Sequence, residues 1–200
     1  MSPDPDCVTL PHGTPILLLT GLPGVGKTTL IRGVVTSLGS MPAAGFYTDE
    51  IREAGGRVGF RATTLDGRTL VMAHVNFAGP ARVGRYGVDL AVVEALGESI
   101  LRQAPRTALV VVDEIGKMEC LSSAFVRAVR TIVDGSRPLV ATIGMKGVPL
   151  LDELRHRPGV TLWEVTVSNR DHLRHDLSAW VQKALGRRGD QTSRERPARA

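Results

Sequence analysis

Short unbroken apolar runs alternate with stretches of helical period along most of this chain, a pattern that predicts an α/β domain built on a largely parallel sheet. Ile16 to Thr20 (ILLLT) is apolar without alternation, as a strand covered on both faces requires. Leu30, Ile31, Val34, Val35 and Leu38 then fall on one face of a helix over residues 28–38, with Gly39 as its stop. Ala44 to Thr48 reads as a second strand. Residues 57–75 break the pattern. Two alternating runs flank Asp66 and Gly67 there, a hairpin signal that predicts an antiparallel β insertion.

Parallel organisation then resumes. Asp89 is placed to N-cap a helix whose stripe is Val92, Val93, Leu96, Ile100 and Leu101, and Ala108 to Val112 is a second fully apolar strand. Ser122 or Ser123 starts a helix with Phe125, Val129, Ile132 and Val133 on one side. Residues 138–143 and 161–167 are two further strands, separated by a short helical segment around Leu150 to Arg155. The last helix is expected to start at Asp171 and shows Leu173, Leu177, Trp180, Val181 and Leu185. With no internal repeat and no second domain in the pattern, residues 15–185 are expected to form one domain between an N-terminal extension (1–14) and a disordered basic tail (186–200).

The composition of the 200-residue chain, 42% hydrophobic and 22% charged, excludes collagen-like, wholly disordered and disulfide-scaffold classes. No run approaches the ~20 apolar residues that span a bilayer, and the first residues carry acids and prolines where a signal peptide carries a basic and then an apolar segment. A cytoplasmic location is therefore expected, with Cys7 and Cys120 as reduced thiols in no metal or redox spacing. The net charge of +5 invites a nucleic-acid reading until it is located along the chain. Residues 186–200 hold five arginines against two acids, which leaves 20 basic and 18 acidic residues, a net +2, for residues 1–185. The body is nearly neutral, so nucleic acid is not the favoured partner. Arginines outnumber lysines 21 to four, and each lysine is the more informative for it.

The strongest chemical signal is Gly21-Leu22-Pro23-Gly24-Val25-Gly26-Lys27-Thr28, which fits G-x-x-x-x-G-K-[ST] and lies between a buried strand and an amphipathic helix. Its glycines let backbone N–H groups wrap phosphate oxygens at a helix N-terminus, where the dipole adds positive charge. Lys27 then reaches the β- and γ-phosphates, the Thr28 hydroxyl is a Mg²⁺ ligand, and Thr29 borders the same site. Downstream, the strand Leu109-Val-Val-Val ends in Asp113 and Glu114. The carboxyl end of a parallel strand is where an α/β sheet binds its ligand. Asp113 suits a hold on Mg²⁺, and Glu114 suits the activation of a water for attack on the γ-phosphate.

Taken together, GLPGVGKTTL, GFYTDEIRE, RVGRYGVD, DEIGKME and SNRDHL, in this order across residues 15–180, resemble the family of small nucleoside-triphosphatases that includes the cancer-related nucleoside-triphosphatase and its bacterial and archaeal relatives. The resemblance implies a RecA-like P-loop fold, helices on both faces of the sheet, and slow Mg²⁺-dependent hydrolysis of several nucleoside triphosphates. Lys117 in DEIGKME, and Arg82 or Arg85 in RVGRYGVD, are candidates to stabilise transition-state charge, an effect of roughly 10³ to 10⁵ in rate where it operates. Glu119 reads as a helix-start acid. Asn169-Arg170-Asp171 is an incomplete version of the guanine-reading N-K-x-D element, so Asn169 borders a loose base pocket and Asp171 serves as a helix N-cap. Phe46 or Tyr47 is core beside the nucleotide. The five histidines form no ligand cluster. A phosphotransferase using the insertion as an acceptor site, and a nucleotide-dependent RNA- or protein-binding module, remain as alternative functions. A monomer is expected.

Overall fold

Burial on both faces dictates the centre of the sheet. The elements follow as β1 (Ile16–Thr20), α1 (Lys27–Leu38), β2 (Ala43–Glu53), β3 (Gly56–Thr64), β4 (Thr69–His74), β5 (Arg82–Val83), β6 (Tyr86–Val88), α2 (Leu90–Gln103), β7 (Leu109–Ile115), α3 (Ser123–Asp134), β8 (Leu139–Ile143), α4 (Pro149–His156), β9 (Val160–Glu164) and α5 (Arg170–Arg194). This computed structural model describes residues 13–145 and 147–194, with side chains through residue 186. The strands form one sheet in the order β5-β6-β4-β3-β2-β7-β8-β1-β9. The five strands from β2 to β9 in that order pair parallel, and β3 to β6 extend the sheet antiparallel.

Alternate side chains of the central strands enter two cores. Leu17 and Leu19 of β1, with Leu109 and Val111 of β7, pack with Leu30, Ile31 and Val34 of α1 and Leu177 and Trp180 of α5. Leu18, Val110 and Val112 face the other way, toward Val93 and Leu96 of α2, Phe125 and Val129 of α3 and Leu151 of α4. The α/β architecture with helices on both faces is as expected. Phe46 is fully buried, its ring 6.2 Å from that of Phe125, while Tyr47 is only partly covered.

The hairpin around Asp66-Gly67 is present as β3–β4, and three features extend or move the expected elements. β2 runs on to Glu53 because its outer half pairs with β3, so the insertion begins inside a strand that starts in the parallel core. β9 stops at Glu164, short of the predicted Val167. The backbone turns there instead, with Asn169 Oδ1 accepting from the N–H of Thr166 at 2.8 Å. Helix α5 consequently begins at Arg170, and Asp171 lies inside its first turn rather than capping it. The same helix continues to Arg194, so no helix end marks the boundary expected at residue 186. A helix already nucleated gains one backbone bond for each residue it adds, without needing apolar burial. Residues 1–12 and 195–200, with Cys7 and the end of the tail, lie outside the described residues.

Capping fixes the helix starts that position the site. Asp89 accepts from the N–H groups of Ala91 and Val92 at 3.0 and 3.2 Å, and Ser122, not Ser123, caps α3 through Phe125 N–H at 3.1 Å. Removing the Asp89 carboxylate with Asp89→Ala should cost about 0.5–2 kcal/mol, and Asp89→Asn much less. Urea unfolding checks this, with an unchanged slope and a lower midpoint expected for the alanine variant.

Candidate active site

The turn from β1 into α1 is held by glycines where no side chain fits. A Cβ on Gly21, at φ 145°, would stand 2.3 Å from the carbonyl oxygen of Val165, just beyond β9. Gly24 and Gly26 adopt φ 79° and 108°, left-handed conformations that favour glycine. Val25 anchors the loop in the core while Leu22 stays exposed. Lys27, only 9% exposed, folds back over the loop and donates to the carbonyls of Gly21 at 2.9 Å and Leu22 at 3.2 Å. An ammonium has three donors, so one remains for a phosphate oxygen. Lys27, Thr28 and Thr29 line a cavity of about 340 Å³ together with Thr48, Arg57 and Glu114.

β7 delivers the carboxylates to this cavity. Asp113 is buried; its Oδ1 accepts from Thr142 Oγ1 at 2.6 Å, whereas Oδ2 has only the N–H and hydroxyl of Thr48, both at 3.4 Å. Those contacts are longer than ordinary hydrogen bonds, so Oδ2 retains capacity for another partner. Glu114 is half-buried, and burial raises its carboxyl above the usual range, against the pull of Lys27 and with the push of Asp113. Glycines on two loops leave room for it. A Cβ on Gly116 would lie 2.8 Å from Glu114 Oε1 and 3.1 Å from Glu119 Oε2, and one on Gly144 3.4 Å from Glu114 Oε1. Glu119 accepts from Gly116 N–H at 3.1 Å, and burial pushes its carboxyl up to about 8, with Glu114 and Asp113 contributing. It starts a single 3-10 turn, as its helix-start reading anticipated, but its buried carboxyl also closes off the floor of the site.

The structure thus gathers the loop, Asp113, Glu114 and Lys117 at one end of the sheet, and it separates other candidates. Arg82 donates to the carbonyls of Phe77 and Arg85, and Arg85 to that of Arg57, so both brace the insertion. Asn169 uses its amide inside the β9–α5 turn, with Nδ2 donating to Glu164 O at 2.9 Å, and is therefore not presented to a base. Its neighbours Arg170, Asp171 and Arg174 instead line a cavity of about 290 Å³ beside Gly26 and Thr29. The guanidinium that does face the phosphate cavity belongs to Arg57, held by Tyr86 Oη at 3.0 Å and Glu50 at 2.8 Å. No local motif marks Arg57. Only the β2–β3 register decides which way it points.

The donors here suit a hard divalent cation: hydroxyls of Thr28 and Thr48 and the under-bonded oxygen of Asp113. Among the described residues no group of three or more His, Cys, Asp or Glu stands placed to hold a metal. The free Cys120 thiol is pushed by burial to about 12, too high to act as a nucleophile.

The family described as NTPase matches residues 16–178. The chain is 44% identical over 162 residues to the nucleoside-triphosphatase THEP1 of Thermotoga petrophila, covering 80% of this chain and 89% of that one. The human cancer-related nucleoside-triphosphatase is 41% identical over 184 residues, covering 84% and 97%. The chain belongs to the NTPase family. The crystal structure of THEP1 from Aquifex aeolicus superposes with a TM-score of 0.77 at 39% identity, covering 84% of this chain and 99% of that one. The P-loop NTPase fold is therefore shared across most of this family member, and hydrolysis of this kind generally uses a divalent metal. Among the described residues no helix is long and apolar enough to cross a membrane.

In this NTPase Glu119 has a pH-dependent consequence for stability. Its carboxyl holds a proton in the folded chain up to about pH 8 but only to about 4.5 when unfolded, so folding takes up a proton between those values. The contribution is fully present below the unfolded value and is lost as pH rises through the folded one. Glu119→Gln keeps an oxygen for Gly116 N–H and binds no proton. Thermal unfolding across that range should show the variant gaining on the wild type as pH rises, by on the order of a few kcal/mol.

Proposed function

We propose that this cavity hydrolyses nucleoside triphosphates by a division of labour among residues of one chain. The amides of residues 21–29 and the third N–H of Lys27 hold the phosphates, as a helix N-terminus with its dipole favours. Thr28 and Asp113 are the residues that would hold Mg²⁺, which when bound with the phosphates neutralises charge on their oxygens. Glu114 orients a water and takes its proton. Its raised affinity for a proton brings it nearer the operating pH, which favours a general base. Lys117, on the wall beyond Glu114, and Arg57, on the insertion side, add positive charge toward the γ-phosphate. The observation that carries this reading is the convergence of Lys27 and Glu114 on one cavity, from the amino end of α1 and the carboxyl end of β7.

The cavity between the start of α1 and the first turns of α5 suits the base. With the Asn169 amide spent in its own turn, no side chain there is committed to the guanine edge, and broad acceptance follows. A monomer in a reducing cytoplasm, where Cys120 stays a thiol, is the setting proposed for this turnover.

Specificity constants for ATP, GTP, CTP and UTP should lie within roughly a factor of 100 of one another, about 2.7 kcal/mol. Glu114→Gln preserves size and one acceptor oxygen, so single-turnover hydrolysis should fall roughly 10² to 10⁴-fold with nucleotide affinity retained. Titration with a fluorescent ATP analogue beside rapid-quench phosphate release separates the two effects. Lys27→Ala, by contrast, should weaken both, because it contacts the ground state as well as the transition state. A fall of less than about tenfold in Glu114→Gln would move the base elsewhere.

A further inference from the structure

Hydrolysis needs room for one water at Glu114, about 30 Å³ of liquid volume. The space beyond Glu114 is far larger. A cavity of about 450 Å³ opens between the insertion and the loops that follow β7 and β8, within the range of small-molecule sites. Its wall is apolar and polarisable: Phe60 and Met72 come from the insertion, and Met118 and Met145 from the two loops. Thioethers and an aromatic ring suit a flat or apolar body. Lys117 and Val83 lead from it into a second cavity of about 480 Å³, which Arg82 and Cys120 also line. Lys117 makes no hydrogen bond or ion pair to any described residue, and Arg82 uses two of its five donors on carbonyls, so the outer mouth carries unspent positive charge.

This space lies on the insertion side of the phosphate loop, whereas the cavity that suits the base lies beside α5. The berth for a second molecule therefore adjoins the phosphate cavity, sharing Pro23, Lys27, Thr48, Arg57, Phe60 and Glu114 with it, and extends away from the cavity that suits the base. We infer that the inner cavity is a second-substrate site for a small alcohol with a flat or apolar body and one anionic group, whose hydroxyl takes the γ-phosphoryl in place of water. The anion lies toward Lys117 and Arg82, the body against Phe60 and the methionines, and the hydroxyl at Glu114. In the transfer the alcohol oxygen bonds to the γ-phosphorus and the bond from that phosphorus to the β,γ-bridging oxygen breaks. The nucleoside diphosphate leaves with the electron pair, and the hydroxyl proton passes to Glu114. Hydrolysis is then the outcome when the site holds only water. This inference rests on the proposed role of Glu114 as base.

The probe is 4-(hydroxymethyl)benzoate, a flat primary alcohol with one carboxylate, incubated with the full-length protein, Mg²⁺ and γ-labelled ATP. Saturable formation of its phosphate ester is expected, with a matching loss of inorganic phosphate, and at least about tenfold less ester from neutral benzyl alcohol, the effect of losing one charge-assisted contact. Filling the cavity with Val83→Trp should cut ester formation about tenfold or more while phosphate release without the alcohol stays within about twofold, since only the positioned acceptor is lost. Met145→Trp repeats this at a residue that is 49% exposed, where the larger ring does not threaten folding. Label appearing only in inorganic phosphate, or equal ester from both alcohols, overturns the inference. Glu114→Gln separates the two claims. If it abolishes hydrolysis while the wild type makes no ester, the second-substrate site fails alone; if the variant keeps both reactions, the site stands and the assignment of Glu114 as base fails.

Discussion

The parallel pairing of β1, β8 and β7, each covered on both faces, is the constraint from which the rest of the molecule follows. Nearly every side chain along these strands is buried, and their polar residues, Thr20, Asp113, Glu114 and Thr142, all fall in the last three positions of each strand. All three end at the same edge because they are parallel. The phosphate loop and the paired carboxylates are thereby brought to one place from residues nearly a hundred positions apart in sequence. β8 lies between β1 and β7, which at a strand spacing of about 4.8 Å sets the loop and the Asp113 backbone about 10 Å apart.

A buried edge of this kind has to satisfy the charges it concentrates. Asp113 does so with hydroxyls of Thr142 on β8 and Thr48 on β2, which are neutral donors from the strands flanking β7. Glu119 lies deeper and is satisfied differently, by keeping its proton and accepting from Gly116. Glu114 occupies the middle ground, partly desolvated and within the field of Lys27. Burial thus raises the proton affinity of both glutamates, furthest for the fully enclosed Glu119, so neighbouring acids in one loop differ in the charge they carry.

The antiparallel insertion shapes the other half of the site. β2 carries the chain out of the parallel core and β3 returns it with Arg57 and Phe60 toward the phosphate cavity. Tyr86 and Glu50 fix the Arg57 guanidinium, and Arg82 and Arg85 each donate to carbonyls of the insertion itself. The insertion is therefore a wall with a charged inner surface, and the space it encloses exceeds what a water requires.

The sequence by itself determined whatever is encoded locally. Gly21 to Thr28 turns the chain and leads into a helix, because the conformations that its glycines permit are properties of adjacent residues. The unbroken apolar runs at Ile16 and Leu109 required a sheet covered on both faces, and Asp113 and Glu114 at the end of such a run had to emerge at its ligand-binding edge. The tertiary structure decided everything that depends on register or on a distant neighbour. The RVGRYGVD motif pointed to Arg82 and Arg85, whereas Arg57 carried no mark until strand pairing turned it toward the cavity. Glu119 read as a helix-start acid, and only the packed chain shows its carboxyl buried and bonded to the Gly116 amide. Asn169 had the spacing of a base reader, yet the early end of β9 turned its amide back on its own loop. Periodicity records which residues avoid water; it does not record which two polar groups meet, because that is fixed by packing between segments far apart in the chain.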